Sequence, residues 1–309
     1  MPFFESLLRS PQATAVPIAI GLVGAALLLV ARHRLRSTTL TAPLIWGVAA
    51  LGLLTWSCVY GITAARSTSP AQLHEALSTW HYLRYSAAVL VIAPTLAQLG
   101  AKSPQNSAWQ FIVLTLVAVL LLPVLQGWAY GDERPSIHGL FRWLLIAHVF
   151  LGVGNYLFTR FGLTAVLVGI GEMLLIAEYL PLGAQAESLA REVAGLALLT
   201  AAIVAAFAAA AFGSQKPPSV ERVWTDFRDA FGAVWTLRIA ERLNASAASH
   251  AWPVEFSWRG LAVKESGGEL SSLAPALRHR IERELRSYLR RFVSHDWIAA
   301  RLHPVEVSE

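Results

Sequence analysis

The sequence predicts an all-α transmembrane bundle of seven helices, N-terminus outside and C-terminus cytoplasmic, followed by a small α+β cytoplasmic module. Three observations predict it. Of 309 residues, 55% are hydrophobic and only 15% charged, against about 25% charged in soluble domains. The mean hydropathy is +0.50. Seven apolar runs, each near the ~20 residues that cross ~30 Å of hydrocarbon as a helix, fill the first two-thirds of the chain. A polar segment follows them.

The runs cover residues 13–32, 40–64, 79–99, 108–128, 140–158, 162–182 and 193–212. They are continuous rather than alternating, so they read as helices and not barrel strands. A helix also satisfies its own backbone where water is absent. The expected division is a bundle over residues 1–213 and a tail over 214–309.

Orientation follows from short loops. Arg32, Arg34 and Arg36 crowd the end of the first run, and basic residues beside a span stay in the cytoplasm. An odd number of spans then leaves the tail inside. Lys102 and Arg160 agree, while Arg66, Arg134, Arg142 and Arg191 dissent from the outer side. The first run has little positive charge before it and no small-residue cleavage site, so it reads as a retained span. The lone cysteine, Cys58, permits no disulfide within the chain and reads as a small packing residue.

Several spans read as helices for packing. The seventh is alanine-rich, from Ala201 to Ala211, and the first offers Gly21, Gly24 and Ala25; small residues let backbones approach in lipid. Pro43, Pro94 and Pro123 mark starts or kinks. Trp80, Trp109, Trp128 and Trp143 fall at span ends and read as an interfacial belt.

Ionisable groups in a bilayer core are costly and become candidates for function. Glu172 lies near the middle of the sixth run and Glu178 nearer its outer end. The fifth contributes His148 and Asn155. A short turn at Arg160 joins these runs, with His148 twelve residues before it and Glu172 twelve after. Both therefore lie about 18 Å from the turn, and His148, Glu172 and Asn155 form a candidate intramembrane polar site. Arg84 of the third run, with His81 one turn above, is expected to pair with Glu178. Two readings stay open: a buried network that orients helices, or a proton, ion or ligand site. His81 and His148 differ in depth, which argues against a haem ligated by both. No cofactor and no metal site is expected.

In the tail, Val220, Trp224, Phe227, Phe231 and Val234 recur at helical spacing, Ser219 can cap that helix, and its end is expected near Asn244. Val254, Phe256 and Trp258 alternate as a strand, with 260–264 as a candidate partner strand. Gly267 and Gly268 read as a turn. A second helix from Ser272 carries Leu277, Ile281, Leu285, Leu289 and Phe292 on one side. Its other side holds Arg278, Arg280, Arg283, Arg286, Arg290 and Arg291, a candidate surface for the anionic inner leaflet. Nucleic acid is not expected, since the tail holds 14 Lys and Arg against 12 Asp and Glu. The sequon at Asn244 would face the cytoplasm and stay unglycosylated.

Phosphate loops, His-Glu-x-x-His, Cys-x-x-Cys and Gly-x-Ser-x-Gly motifs are absent, and no catalytic residue is assigned. The segments 80–85 (WHYLRY), 99–102 (LGAK), 155–160 (NYLFTR) and 223–232 (VWTDFRDAFG) resemble those of uncharacterised bacterial multi-pass membrane proteins. The resemblance implies a seven-span bacterial inner-membrane protein and carries no activity. The expected function is a non-enzymatic sensory or accessory subunit, coupling its bundle to a protein partner or a second copy through the tail. The alternative is a transporter or proton-linked membrane enzyme using Glu172 and His148.

Overall fold

A computed structural model describes residues 10, 12–67, 69–180, 188–212, 217–264 and 273–302. Of the described residues, 77% are helical, and a small two-stranded sheet accompanies them. The membrane part comprises α1 (Ala15–Leu35), α2 (Thr41–Ala64), α3 (Pro70–Val91), α4 (Ala93–Leu99), α5 (Asn106–Leu120), α6 (Leu122–Tyr130), α7 (Leu140–Tyr156), α8 (Gly162–Ile176) and α9 (Ser188–Phe212). Six helical stretches are long and apolar enough to cross a membrane: α1, α2, α3 with α4, α5 with α6, α8 with its 3-10 extension, and α9. The fifth run forms α7, which is apolar but only 17 residues long, or about 25 Å.

Several boundaries differ from the sequence reading. α1 runs on through Arg32, His33 and Arg34. α3 begins at Pro70, well before the expected residue 79, so Arg84 lies deep in a helix and not one turn from its start. Pro94 separates α3 from α4, and Pro123 separates α5 from α6. Proline removes a donor and frees a carbonyl nearby. The Leu120 carbonyl at the second break accepts the Tyr85 hydroxyl at 2.8 Å. The sixth run stops as an α-helix at Ile176 and continues as a 3-10 turn, Ala177–Tyr179, which carries Glu178. Its expected end at Leu182 lies outside the described residues.

Small residues act as expected in the first span. Gly21 and Gly24 are buried, and a Cβ on Gly24 would lie 3.0 Å from side-chain atoms of both Leu51 and Thr200. α1 can therefore pack closely on α2 and α9. The outward faces are apolar, with Ile45, Phe111, Phe150 and Phe158 exposed, as lipid contact requires.

The C-terminal module comprises α10 (Val220–Ser249), a hairpin of β1 (Val254–Ser257) and β2 (Gly260–Val263), α11 (Pro275–Leu289) and α12 (His295–Leu302). Ser219 Oγ caps α10 by accepting from Arg222 N at 3.1 Å. The hairpin is antiparallel, with Val254 opposite Val263 and Phe256 opposite Leu261. Both Asn244 side-chain amide atoms bond to the Phe256 backbone, at 2.7 and 2.8 Å, so the sequon asparagine is a structural clamp. α10 extends past the expected Asn244 to Ser249. α11 starts three residues beyond Ser272, which lies outside the described residues, as do Gly267 and Gly268. Phe227, Phe231 and Trp235 of α10 surround Phe292, with ring centroids 4.9–5.4 Å from it, and Trp224 packs edge-on against Phe256 of β1.

This core is not confined to the tail. Leu40 and Ala101, from the connections after α1 and α4, belong to it. Backbone bonds tie the same connections to residues 291–294: Thr39 N to Phe292 O at 2.9 Å, Ser294 N to Ser37 O at 2.8 Å and Ser103 N to Arg291 O at 2.7 Å.

α10 is kinked at Gly232, whose φ of 74° and ψ of −172° are not helical. A side chain is strained at that φ, and its Cβ would also collide with the Asn155 side chain. The kink frees backbone groups that α7 then satisfies. Asn155 Oδ1 accepts from Val234 N at 2.9 Å and the Tyr156 hydroxyl donates to Ala230 O at 3.0 Å. Gly232→Ala should cost about 1–3 kcal/mol, and Asn155→Ala about 1–3 kcal/mol from the orphaned donor. Thermal unfolding in detergent should show both losses. Amide exchange at Val234 should rise in the Asn155 variant, and unchanged exchange would refute the bond.

Candidate functional site

Polar clusters and a cavity lie within the bundle. The first cluster sits away from the C-terminal module. Arg84 is fully buried and its Nη1 donates to Glu178 Oε2. His81 Nδ1 lies 3.9 Å from Glu178 Oε1, and Arg191 Nη2 lies 3.9 Å from Glu178 Oε2. Arg84 also stacks over the Trp80 ring at 5.6 Å. The 3-10 turn after α8 is what swings Glu178 toward α3. Burying a charge requires a partner; Glu178 supplies it to Arg84 Nη1, while Arg84 Nε and Nη2 have no hydrogen-bond partner among the described residues.

Sequence reasoning missed part of this cluster. Trp80 is not an interfacial anchor: it is 5% exposed and its indole donates to Glu192 Oε2 at 3.0 Å. Glu192, expected in an outer loop, is fully buried in the first turns of α9. The signal available was the apolar run after Glu192, which lets a helix begin earlier than residue 193. Trp109 is likewise not a belt residue, donating to Leu96 O at 2.8 Å. Trp128 and Trp143 are exposed, as a belt requires.

His148, Glu172 and Asn155 do not come together. Asn155 belongs to the kink of α10. His148 Nε2 and Glu172 Oε1 are buried without hydrogen-bond partners among the described residues, so equal depth on adjacent helices does not bring their faces into a bond. Glu172 instead lines a cavity of about 560 Å³.

The cavity walls come from five helices of the bundle: Leu28 and Ala31 of α1, Thr95 of α4, Val153 of α7, Val168 of α8, and Ala206 and Phe207 of α9. Ala202, Ala206 and Ala210 share one face of α9 and line it too. These three alanines border open space, while α9 as a whole packs closely on α8 and α1. Helix approach occurs earlier in α9, where a Cβ on Gly195 would stand 3.4 Å from Gly171 O.

On one side the cavity is charged and lined by residues of the C-terminal module. Arg34, Arg160, Asp226, Asp229 and Arg301 line it, with Ala230 and Trp297. Arg160 bridges Asp226 (3.3 Å) and Asp229 (3.4 Å); Arg301 holds Asp226 at 2.7 Å and Arg228 holds Asp229 at 2.9 Å. Arg160 is therefore more than a loop charge that sets orientation. Burial pulls the Arg301 pKa down, and Asp226 opposes that shift. The arrangement is an apolar chamber with one buried carboxyl group in its wall and an alternating Arg–Asp chain at its mouth. Such a chamber suits a small apolar ligand with one polar group. Among the described residues no group of three His, Cys, Asp or Glu is placed to hold a metal.

On α11 the apolar face packs inward, with Ile281, Leu285 and Leu289 buried. Arg280 and Arg283 are exposed and Arg278 and Arg286 half-buried, while Arg290 and Arg291, expected on the same helix, lie exposed beyond its end at Leu289.

In comparisons with known proteins, no family model, no curated protein and no solved structure matches the chain.

Arg84→Ala should lower the yield and melting temperature of the purified protein, because it strands the Glu178 carboxylate. Adding Glu178→Gln should recover part of that loss. Simple additivity of the two losses would show that the pair is not coupled.

Proposed function

We propose that the chain is a seven-span protein of the bacterial inner membrane, N-terminus outside, that works as a non-enzymatic sensory or accessory subunit. Its cytoplasmic module senses the state of the bundle and carries it to a protein partner. The observation that carries this reading is the shared cavity: Asp226, Asp229 and Arg301 of the module line the same chamber as Glu172 of the bundle. An occupant near Glu172 and a movement of the module are thereby coupled through one space.

Seven crossings are supported by the alternation of connections. Residues 37–39 and 103 bond to the module, and Asn155 and Tyr156 at the end of α7 bond to α10. The intervening connections bond elsewhere: His74 lies 3.7 Å from Glu133, and Glu178 meets Arg84. α7 is short for a span, but it precedes a turn of only five residues into α8. Orientation rests on the basic end of α1, and bacterial origin on the resemblance of the 80–85 and 223–232 segments.

A second reading is a transporter or proton-linked membrane enzyme, favoured by one observation: the Glu172 carboxyl group lines the cavity with an unpartnered oxygen.

Impermeant labelling of tags in intact cells should reach the N-terminal tag alone; equal labelling of both ends would overturn the odd number of crossings. Co-purification from native membranes should recover a partner with wild type and with Glu172→Gln, and lose it when the chain ends before Ser219. Retention of the partner by the truncated chain would sink the coupling role. Proton flux in proteoliposomes that Glu172→Gln abolishes would establish the second reading.

A further inference from the structure

A second charged site lies outside the cavity, on the flank where the module meets the end of α4. Lys102 follows that helix by three residues. Its Nζ lies 5.9 Å from the centroid of the Trp235 ring, and the Arg238 guanidinium lies 5.4 Å from the same centroid. Arg242 is one turn further along α10 on the side of Arg238. Arg291 is held beside Lys102 because its carbonyl accepts Ser103 N–H. Four cations thus converge from three separate parts of the chain.

No carboxylate forms an ion pair with any of them among the described residues. The Arg–Asp chain at the cavity mouth shows the contrast, since each aspartate there is shared between two arginines. Crowding has an electrostatic consequence: burial lowers the Lys102 pKa, and Arg291, Arg242 and Arg238 lower it further. Like charges gathered without a counter-charge destabilise the folded state unless an anion joins them. The Trp235 indole beside them is 9% exposed and its Nε1 has no partner, so a donor is also left over.

We infer that Lys102, Arg238, Arg242 and Arg291 bind a phosphate group, supplied as the headgroup of an anionic phospholipid in the leaflet next to the module. Phosphate fits because guanidinium groups and an ammonium form charge-assisted bonds to its oxygens. The lipid is the source because the site adjoins the end of a membrane-spanning candidate, where a headgroup phosphate is already concentrated. Bound there, the lipid bridges the α4–α5 connection, α10 and the residues after α11, fastening the module to the bundle. The site is distinct from the arginine face of α11, because that helix ends at Leu289 and Arg291 lies beyond it. The inference rests on the reading that the bundle crosses a bilayer with the module at its surface.

The test uses the full chain in nanodiscs of phosphatidylcholine alone or with about 30% phosphatidylglycerol, read by thermal unfolding. Ligand linkage predicts a melting temperature higher by about 3 °C or more in the anionic discs. Lys102→Gln/Arg238→Gln/Arg242→Gln should remove that gain, and Arg280→Gln/Arg283→Gln should keep it. Full retention of the gain by the triple variant would overturn the site, as would its loss in the α11 variant alone. If the triple variant does not fold, native mass spectrometry of the single variant Arg242→Gln should show fewer retained phosphatidylglycerol adducts than wild type; equal numbers would overturn the site. Inorganic phosphate added in detergent separates the sources: stabilisation by phosphate with none from the lipid would overturn the lipid as occupant. Failure of the chain to enter nanodiscs at all would instead overturn the membrane reading.

Discussion

The module and the bundle are held together at the kink of α10. Gly232 breaks the helix, and Asn155 and Tyr156 at the end of α7 satisfy the Val234 N–H and Ala230 carbonyl on either side of it. A buried backbone group without a partner costs roughly what a lost hydrogen bond costs. The kink is therefore comfortable only while α7 is docked against it. That docking sets the position of Asp226 and Asp229, six and three residues before the glycine, and with it the charged side of the cavity. It also aims Trp235 and Arg238, three and six residues after, toward Lys102.

The cavity and the outer cluster treat buried charge differently. Around Glu178, Oε2 meets Arg84 and lies near Arg191, and Oε1 lies near His81, so the carboxylate has neighbours from three side chains. Around Glu172, the walls are apolar and Oε1 has no hydrogen-bond partner among the described residues. Low-dielectric surroundings make an unpartnered polar group expensive and a partnered one strong. The first arrangement suits fixing helices in place, and the second suits receiving something from outside the chain.

Much of this fold was legible in the amino-acid order. Apolar length marked the membrane helices, except that α7 is too short to count by length alone. The stripe from Val220 to Phe231 marked α10, and the alternation at Val254 and Phe256 marked the hairpin. Arg84 and Glu178 were legible as partners because each is a charge that lipid would penalise, at comparable depth. The role of Asn155 was not legible. Its depth matched a site with Glu172, but its bond goes to a segment nearly 80 residues later, and only the φ of Gly232 reveals why. Trp80 and Glu192 were hidden for a related reason. Composition places tryptophan and glutamate at a membrane surface, and it takes the approach of α3 to α9 to bury both together. The alanines of α9 show a third limit. Small side chains permit either close approach or open space, and neighbouring helices decide which.

The core of the C-terminal module borrows Leu40 and Ala101 from two connections within the bundle. This imposes an order of assembly. The module follows both connections along the chain, and it lacks part of its interior until the helices flanking them are in place. Without those two residues the aromatic face of α10 and Phe292 would lose part of its cover, so completion of the module reports on the placement of both connections.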